Sequence, residues 1–255
     1  MEQFDKEKIV KNKNNTMSKI NEYLDNCLLL DDKHIKKVSL LSYWLNDYIK
    51  YIEQEEIFNS SKLKSYSRGD VIKVNLGFNI GNEEGGLHYC VVLDKKNAKS
   101  FSTLTVVPLS SLKSSTKVNK TSVFIGNELY ESLSLKNASL LLEAKSNLEI
   151  FEEELRVISE LPTETQEDNI VKEFRIKEIM DKIQAGSERL ELVKKISDEL
   201  AQMKTGSIVL TNQITTISKQ RIYNPKKEFD ILSGIKISDE KMKLIDEKIK
   251  KLYIN

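Results

Sequence analysis

The chain has 255 residues, of which 39% are hydrophobic, 31% charged and 7% aromatic, so we expect one to three modest domains in a soluble, helix-rich protein with a charged surface. No apolar run approaches the roughly 18 residues of a membrane helix, and the polar N-terminus lacks the apolar core of a secretory signal, which together favour a cytoplasmic protein. Two histidines and two cysteines without close spacing predict no metal site, no cofactor and no disulfide.

The net charge of +1 hides a segregation of charge along the chain. Basic and acidic residues number eleven and eleven in residues 1–66, nine and six in 67–140, nine and sixteen in 141–203, and eleven and six in 204–255. An acidic stretch of net charge −7 is therefore flanked by two basic segments that together carry +8. Because a basic patch attracts polyanions, nucleic acid is a candidate partner in spite of the nearly neutral total.

Residues 1–65 predict an N-terminal helical segment. Apolar residues recur there at intervals of three and four, the spacing of one helix face, at Val38, Leu41, Leu45, Tyr48 and Ile52. A face of this kind normally packs inside its own protein, and binding of a partner is the alternative.

The apolar period changes to two after Val71, where apolar residues alternate with polar residues and glycine at Ile72, Val74, Leu76 and Phe78. This alternation predicts a strand with one wet face. Further short apolar stretches bounded by turn residues predict strands at Tyr89–Leu93, Leu104–Leu109, Ser122–Ile125 and Ser207–Leu210. Several short strands separated by turns favour a sandwich or a small barrel.

Helical periodicity returns between residues 138 and 203 and breaks once, around Pro162. Its second half repeats as an antiparallel coiled-coil hairpin would, at Ile176, Ile179, Ile183, Gly186, Leu190 and Val193. Because strand-like sequence resumes at Ser207, the hairpin is interpreted as an insertion. The expected segments are an N-terminal helical segment, the first part of the strand-rich unit, the inserted hairpin, and the second part with a C-terminal helix, at residues 1–65, 66–137, 138–203 and 204–255.

Four motifs in the strand-rich segments follow one another in a specific order. They are Arg68-Gly-Asp with the strand after it, the loop and strand Gly81-Asn-Glu-Glu-Gly-Gly-Leu-His-Tyr-Cys, the strand Leu104-Thr-Val-Val-Pro-Leu-Ser-Ser, and Gly206-Ser-Ile-Val-Leu-Thr-Asn-Gln-Ile-Thr-Thr-Ile with its continuation to Arg221. This series resembles the toxins of the MazF/PemK family. The resemblance implies an α+β protein built on a small SH3-like β-barrel, which usually dimerises, recognises single-stranded RNA and cleaves it without a metal.

Cleavage of this kind activates a 2′-hydroxyl against the adjacent phosphorus and requires a base, an acid and stabilisation of the phosphorane charge. The family uses an arginine after its Gly-Gly loop and a hydroxyl residue at the end of its third strand. Carried over by position, the hydroxyl is Ser110, and the arginine position holds His88. An imidazole ordinarily exchanges a proton near neutral pH, whereas arginine is always charged. The resemblance therefore makes His88 a candidate acid or base, and a histidine that donates one structural hydrogen bond at a strand start is the alternative.

The loop before His88 supplies three further candidates through the resemblance. Glu83 matches the family's loop carboxylate and would orient His88 or act as a second proton carrier, with a solvated loop residue as the alternative. Gly85 and Gly86 match the Gly-Gly pair and are candidate substrate contacts.

The fourth motif adds Gln213, which matches the glutamine of the family's QIRTI-type sequence and would contact RNA or brace the loops of the site. The arginine of that sequence is replaced by Thr215. A cleaving site would then need positive charge from elsewhere, and the candidate cations are Arg68, Lys73 and Arg221.

The resemblance predicts the toxin of a toxin–antitoxin system: a metal-independent endoribonuclease for single-stranded RNA, controlled by a cognate antitoxin and acting as a homodimer. The alternative is a non-catalytic module that binds protein or nucleic acid, like the CcdB-like gyrase poisons that use the same fold. Two interpretations of the acidic hairpin stay open. It is a built-in restraint folded over the basic barrel, or a coiled coil for dimerisation or partner docking.

Overall fold

A computed structural model describes residues 5–112, 118–162, 165–204 and 206–254. The chain separates into two units. The first comprises Met1–Phe58 with Leu76–Leu87, and the second comprises Asn59–Asn75 with His88–Asn255.

The first unit contains two helices, α1 (Lys6–Leu28) and α2 (Asp32–Gln54). Each begins directly after an aspartate, Asp5 or Asp31, whose carboxylate accepts backbone N–H groups of the first helical turn. This is the N-cap arrangement that satisfies otherwise unpaired amides. The helical segment predicted for residues 1–65 therefore contains two α-helices, of which the second ends at Gln54.

The loop of the first unit requires glycine at Gly77. Its φ is +86°, and a Cβ atom there would stand 2.8 Å from the ring of Trp44. That ring belongs to an aromatic cluster on α2, with centroids 5.6 Å from Tyr48 and 6.2 Å from Tyr51. Any larger residue at Gly77 would have to displace this cluster.

The second unit is built on a sheet whose strands follow the order β4-β5-β3-β2-β1-β7, with β6 also paired to β3. The strands are β1 (Val71–Asn75), β2 (Leu87–Val92), β3 (Thr103–Ser111), β4 (Ser122–Gly126), β5 (Ser207–Leu210), β6 (Thr215–Ser218) and β7 (Ile222–Asn224). The pairs β1–β7, β2–β3, β3–β5, β3–β6 and β4–β5 are antiparallel. Together with the helices, this sheet confirms the α+β class predicted from the sequence.

The closed barrel predicted from the sequence is wrong, because the sheet is open. β4 and β7 stand at the two ends of the strand order, and within the described ranges neither pairs with the other. β7 has only three residues and is followed by Pro225, which has no N–H group to extend a ladder. Such a short strand offers little backbone on which β4 could close the sheet.

Pro108 explains why one edge of β3 is shared by two short strands. The Leu93 N–H donates to the Thr105 carbonyl at 2.9 Å, so the odd-numbered residues of β3 direct their backbone groups towards β2. Pro108 therefore directs its nitrogen to the other edge, where it has no hydrogen to donate. The partner strand changes there, with β6 pairing up to Val106 and β5 pairing from Leu109 onwards.

In the described ranges, three α-helices complete the second unit. α3 (Glu128–Ser159) and α4 (Gln166–Gln202) form a hairpin between β4 and β5, and α5 (Asp239–Tyr253) follows the last strand. Thr165 and Asp168 start α4 with a reciprocal capping box. α3 begins ten residues before the start predicted for the inserted hairpin, because β4 runs almost directly into it. None of the helices in the described ranges is long and apolar enough to cross a membrane.

The sheet is buried on both faces. The helix-covered face shares one core with α3, α4 and α5, made of Val71, Val91, Val107, Leu109, Val209, Leu129, Leu133, Leu192, Ile196, Met242 and Ile245. The alternate residues point to the other face and are equally buried, at Ile72, Val74, Cys90, Val92, Leu104, Val106, Ile217 and Ile222. The wet face predicted for β1 is thus wrong, because α4 covers the side on which Lys73 lies.

Candidate functional site

His88 on β2 lies near the end of β3 that carries Ser110, since its Nδ1 atom is 3.3 Å from the carbonyl oxygen of Leu109. The register of β2 and β3 pairs Cys90 with Pro108, and continuing it by two residues sets His88 across from Ser110. The ladder bond of Leu93 to Thr105 falls on odd-numbered residues, so a continued register would make this position a non-hydrogen-bonded pair. Side chains approach most closely in pairs of that kind. The fold thereby brings together two of the three residues predicted to be catalytic.

The backbone next to Ser110 orients the His88 ring. The Nδ1 atom of His88 is 3.3 Å from the carbonyl oxygen of Leu109, which can only accept a hydrogen bond. Nδ1 is therefore the protonated nitrogen, and in the neutral ring Nε2 carries the lone pair. Both His88 and Ser110 are partly buried, which leaves each in reach of a bound molecule. This arrangement can supply a base at Nε2 beside a hydroxyl donor.

Glu83, Gly85 and Gly86 belong to the first unit and form a compact loop there. The Gly86 N–H donates to the Gly77 carbonyl at 2.6 Å, and Glu83 accepts a longer bond of 3.4 Å from the Ile80 N–H. A Cβ atom on Gly85 would stand 2.7 Å from the Gly77 oxygen, so the loop requires glycine at that position. The carboxylate of Glu83 thus helps to close its own loop.

Lys73 is held by the hairpin. Its Nζ atom donates to Oε1 of Glu199 on α4 at 2.5 Å and lies 5.1 Å from the centre of the Tyr89 ring. The Tyr89 hydroxyl donates to the same Glu199 oxygen, and burial together with this carboxylate raises the pKa of Tyr89. A polyanion would therefore have to compete with Glu199 for Lys73. By strand alternation these residues lie on the helix-covered face, whereas His88 and Ser110 lie on the other.

The two candidate arginines also have partners inside the fold. Arg68 donates to the Leu93 carbonyl and to the carboxylate of Asp246 on α5. The Nε atom of Arg221 donates to the Asn75 carbonyl, at the end of β1, at 2.8 Å. Both guanidinium groups join elements of the second unit. These contacts give both arginines a structural role within the second unit.

Gln213 and Thr215 lie where the chain passes from β5 to β6. The Gln213 N–H donates to the Leu210 carbonyl at 2.8 Å, which closes a tight turn. Thr215 is exposed and pairs with Val106 at the start of β6. The turn therefore lies beside the position on β3 at which Pro108 interrupts the edge.

Three residues that bear on the site escaped sequence reasoning: Glu199, Asp246 and Leu109. Two are acids on amphipathic helices rich in charge, and nothing in the sequence distinguishes them from their neighbours. Leu109 acts through its backbone carbonyl, which any residue would supply. Within the described ranges, no three His, Cys, Asp or Glu side chains gather as ligands of a metal ion would.

Comparison with known families adds an independent observation. A model of the PemK-like, MazF-like toxins of type II toxin–antitoxin systems matches residues 67–168. The predicted resemblance is thereby confirmed for this stretch. This PemK-like stretch contains the first three motifs, His88 and Ser110, and it ends just inside α4, whereas the fourth motif lies beyond it. No curated protein matches the chain.

Proposed function

We propose that this PemK-like protein is the toxin of a toxin–antitoxin system and a metal-independent endoribonuclease for single-stranded RNA. The observation that carries the proposal is the position of His88 beside the end of β3, where its Nδ1–H donates to the carbonyl of Leu109, the residue before Ser110. In this view the open sheet is a relative of the family's SH3-like barrel. The family match supports an antitoxin and RNA as partners in general terms.

The reaction follows from these two side chains. His88 Nε2 takes the proton of a ribose 2′-hydroxyl, and the 2′-oxygen forms a bond to the adjacent phosphorus. The bond from phosphorus to the 5′-oxygen of the next nucleotide breaks, and that oxygen takes a proton from water. The products are a 2′,3′-cyclic phosphate and a free 5′-hydroxyl. The Ser110 hydroxyl donates to a non-bridging oxygen while its negative charge grows.

Cleavage also requires positive charge near the phosphate that reacts. Arg68, Lys73 and Arg221 each donate to acceptors within the protein. RNA phosphates would bind the two arginines by sharing or displacing those acceptors, with Gln213 as a further contact. Lys73 lies on the helix-covered face and would contact a part of the RNA away from His88. Such competition lowers affinity compared with a preformed cation cluster, so we expect weak binding that depends strongly on salt.

The test uses purified protein, a fluorescent single-stranded RNA and EDTA. We expect cleavage that leaves a 2′,3′-cyclic phosphate, reduced about 10²- to 10⁴-fold by His88→Ala. His34→Ala is the matched control, because the other histidine of the chain is bonded to Asp31 in the exposed cap of α2. Ser110→Ala should lower the rate without changing the products. Intact RNA with the unaltered protein would refute the proposal.

The internal partners of all three candidate cations favour one alternative, a non-catalytic binding module related to CcdB-like gyrase poisons. A module of that kind needs no positive charge at the phosphorus. It predicts toxicity that survives His88→Ala together with RNA that stays intact. Expression of the unaltered chain and of His88→Ala in growing cells, combined with the RNA assay, separates the two functions.

A further inference from the structure

Phe124 leaves its phenyl ring partly in water in the middle of β4. The other residues of this strand are buried or half-buried, whereas Phe124 is 44% exposed. Its neighbours Val123 and Ile125 belong to the core on the helix-covered face, so strand alternation turns Phe124 to the opposite face. One exposed ring is ordinary on a protein surface, and its surroundings decide whether it has a role.

The ring lies in one row of the sheet with the candidate hydroxyl. Ser110 on β3 pairs with Ile208 on β5, and Ile208 pairs with Phe124 on β4. Residues paired directly across strands point to the same face. Because neighbouring strands are about 4.8 Å apart, the backbones at Ser110 and Phe124 are about 10 Å apart. Ile208 between them is buried, so a molecule bound along this row would touch Ser110 and then the ring.

The ring packs against the start of β5. A Cβ atom on Gly206 would stand 3.7 Å from Cε2 of Phe124 and 3.1 Å from Cβ of Leu112. The Leu112 N–H donates to the Gly206 carbonyl at 2.9 Å, which fixes the end of β3 at the same point. The ring therefore lies beside anchored backbone. A group that is already held in place loses little conformational entropy when a ligand binds it.

The size of the exposed area indicates what kind of molecule would cover the ring. A phenylalanine has about 150–250 Å² to bury, so 44% exposure leaves roughly 100 Å². A protein interface buries about 800 Å² on each partner, whereas the row beside this ring continues to the polar Ser110. The flat face of one nucleobase matches a single ring. Aromatic side chains on sheets stack the bases of single-stranded nucleic acid in this way.

We propose that Phe124 stacks a base of the single-stranded RNA while the Ser110 hydroxyl meets a phosphate of the same strand, and we name the ring the stacking platform. This assignment rests on the proposed function for its substrate. The separation of about 10 Å sets the base and the phosphate on roughly neighbouring nucleotides. Since every base has a π-face, the platform adds affinity with little choice of sequence. It does so without charge, in a protein whose candidate cations are bonded internally.

Fluorescence anisotropy of the full chain with a 2′-O-methyl oligoadenylate of about 12 nucleotides tests the stacking platform. This probe has no 2′-hydroxyl to attack, so binding is measured whether or not the protein cleaves RNA. We expect Phe124→Ala and Phe124→Leu to raise the dissociation constant about 5- to 150-fold, and Phe124→Tyr to keep it within about 3-fold. Circular dichroism should show that all three variants fold.

Phe101→Ala is the matched control. Phe101 is 57% exposed and precedes β3, at the opposite end of that strand from Ser110. Its loss should leave the affinity for the oligoadenylate unchanged, because the ring lies away from the row that carries Phe124.

An abasic oligonucleotide of the same length separates stacking from the other contacts. Phe124→Ala should leave the affinity for this probe unchanged, because it offers no base to stack. Equal weakening for both probes, or unchanged binding of the oligoadenylate, overturns the proposal. So does an unaltered chain that binds no oligoadenylate up to about 100 µM. Sedimentation in which Phe124→Ala breaks an association between copies of the chain would assign the ring to a protein interface and overturn the proposal as well.

Failure of the stacking platform and failure of the proposed function give different results. Intact RNA in the cleavage assay, together with binding that depends on the ring, would refute cleavage and keep the platform. Cleaved RNA, together with binding that Phe124→Ala leaves unchanged, would refute the platform alone.

Discussion

The substitution Glu199→Gln probes how the hairpin is held against the sheet. Glu199 on α4 accepts hydrogen bonds from Lys73 at 2.5 Å and from the Tyr89 hydroxyl. Glutamine has nearly the same shape and keeps a carbonyl oxygen for the two donors. The change therefore removes a charge while preserving most of the packing.

The magnitude follows from the burial of the pair. The side chains of Lys73 and Glu199 are 20% and 21% exposed, so the burial of this salt bridge is intermediate. An exposed salt bridge contributes about 0–1 kcal/mol to stability, and disruption of a buried one costs about 3–5 kcal/mol. Since glutamine retains a neutral acceptor, we expect Glu199→Gln to lower the free energy of unfolding by about 1–3 kcal/mol. Lys73→Met should couple to it in a double-mutant cycle by about 0.5–3 kcal/mol.

Urea denaturation followed by far-ultraviolet circular dichroism measures this loss. Glu191→Gln is the control, because Glu191 lies on the same helix, is 71% exposed and, among the described residues, forms an ion pair only with Lys195, at 3.9 Å. It should change stability by less than about 0.5 kcal/mol. Equal stabilities of the two variants would refute the reasoning that the Lys73 contact holds the hairpin.

The same pair of variants has a functional readout. Glu199→Gln leaves the charge of Lys73 uncompensated, so RNA affinity should rise and the slope of log affinity against log salt should steepen by about 0.7. Glu191→Gln should change neither. An unchanged salt slope in Glu199→Gln would mean that Lys73 does not contact RNA.

Three further predictions concern stability. Lys136→Met removes an ammonium group that donates to three backbone carbonyls after β7 at 2.7–2.9 Å. The free energy of unfolding should fall by about 2–4 kcal/mol, and a fall below about 1 kcal/mol would contradict that role. Burial raises the pKa of Tyr89, so the unfolded chain loses this proton first. Stability should then fall above about pH 10 by up to about 1.4 kcal/mol per pH unit, and Tyr89→Phe should show a shallower fall in alkaline urea titrations. Gly77→Ala should lower the free energy of unfolding by about 2–4 kcal/mol, because its φ is +86° and the added methyl group would meet the ring of Trp44. Gly81→Ala, where φ is +64° and the space is open, should lower it by about 1–2 kcal/mol. Denaturation followed by Trp fluorescence measures both, and equal losses would contradict the clash.

Much of the strand and helix pattern could be predicted from the sequence, because it depends on local periodicity. The alternation after Val71 and the short apolar runs marked strands that the sheet contains, and the heptads around Ile183 marked a long helix. The resemblance named His88 and Ser110 as candidates, and the paired strands bring His88 to the end of β3 that carries Ser110. These features depend on residues close together in the chain or on neighbouring strands.

By itself, then, the sequence determined the α+β class, the family resemblance and the candidate pair on β2 and β3. Only the tertiary structure decided that the sheet stays open, that the supposed wet face of β1 lies under α4, and that Lys73 is bound by Glu199. Those outcomes depend on contacts between residues more than a hundred positions apart. Since an acid on α4 has the same local pattern whether it faces water or a lysine, only the packing of helix on sheet distinguishes the two.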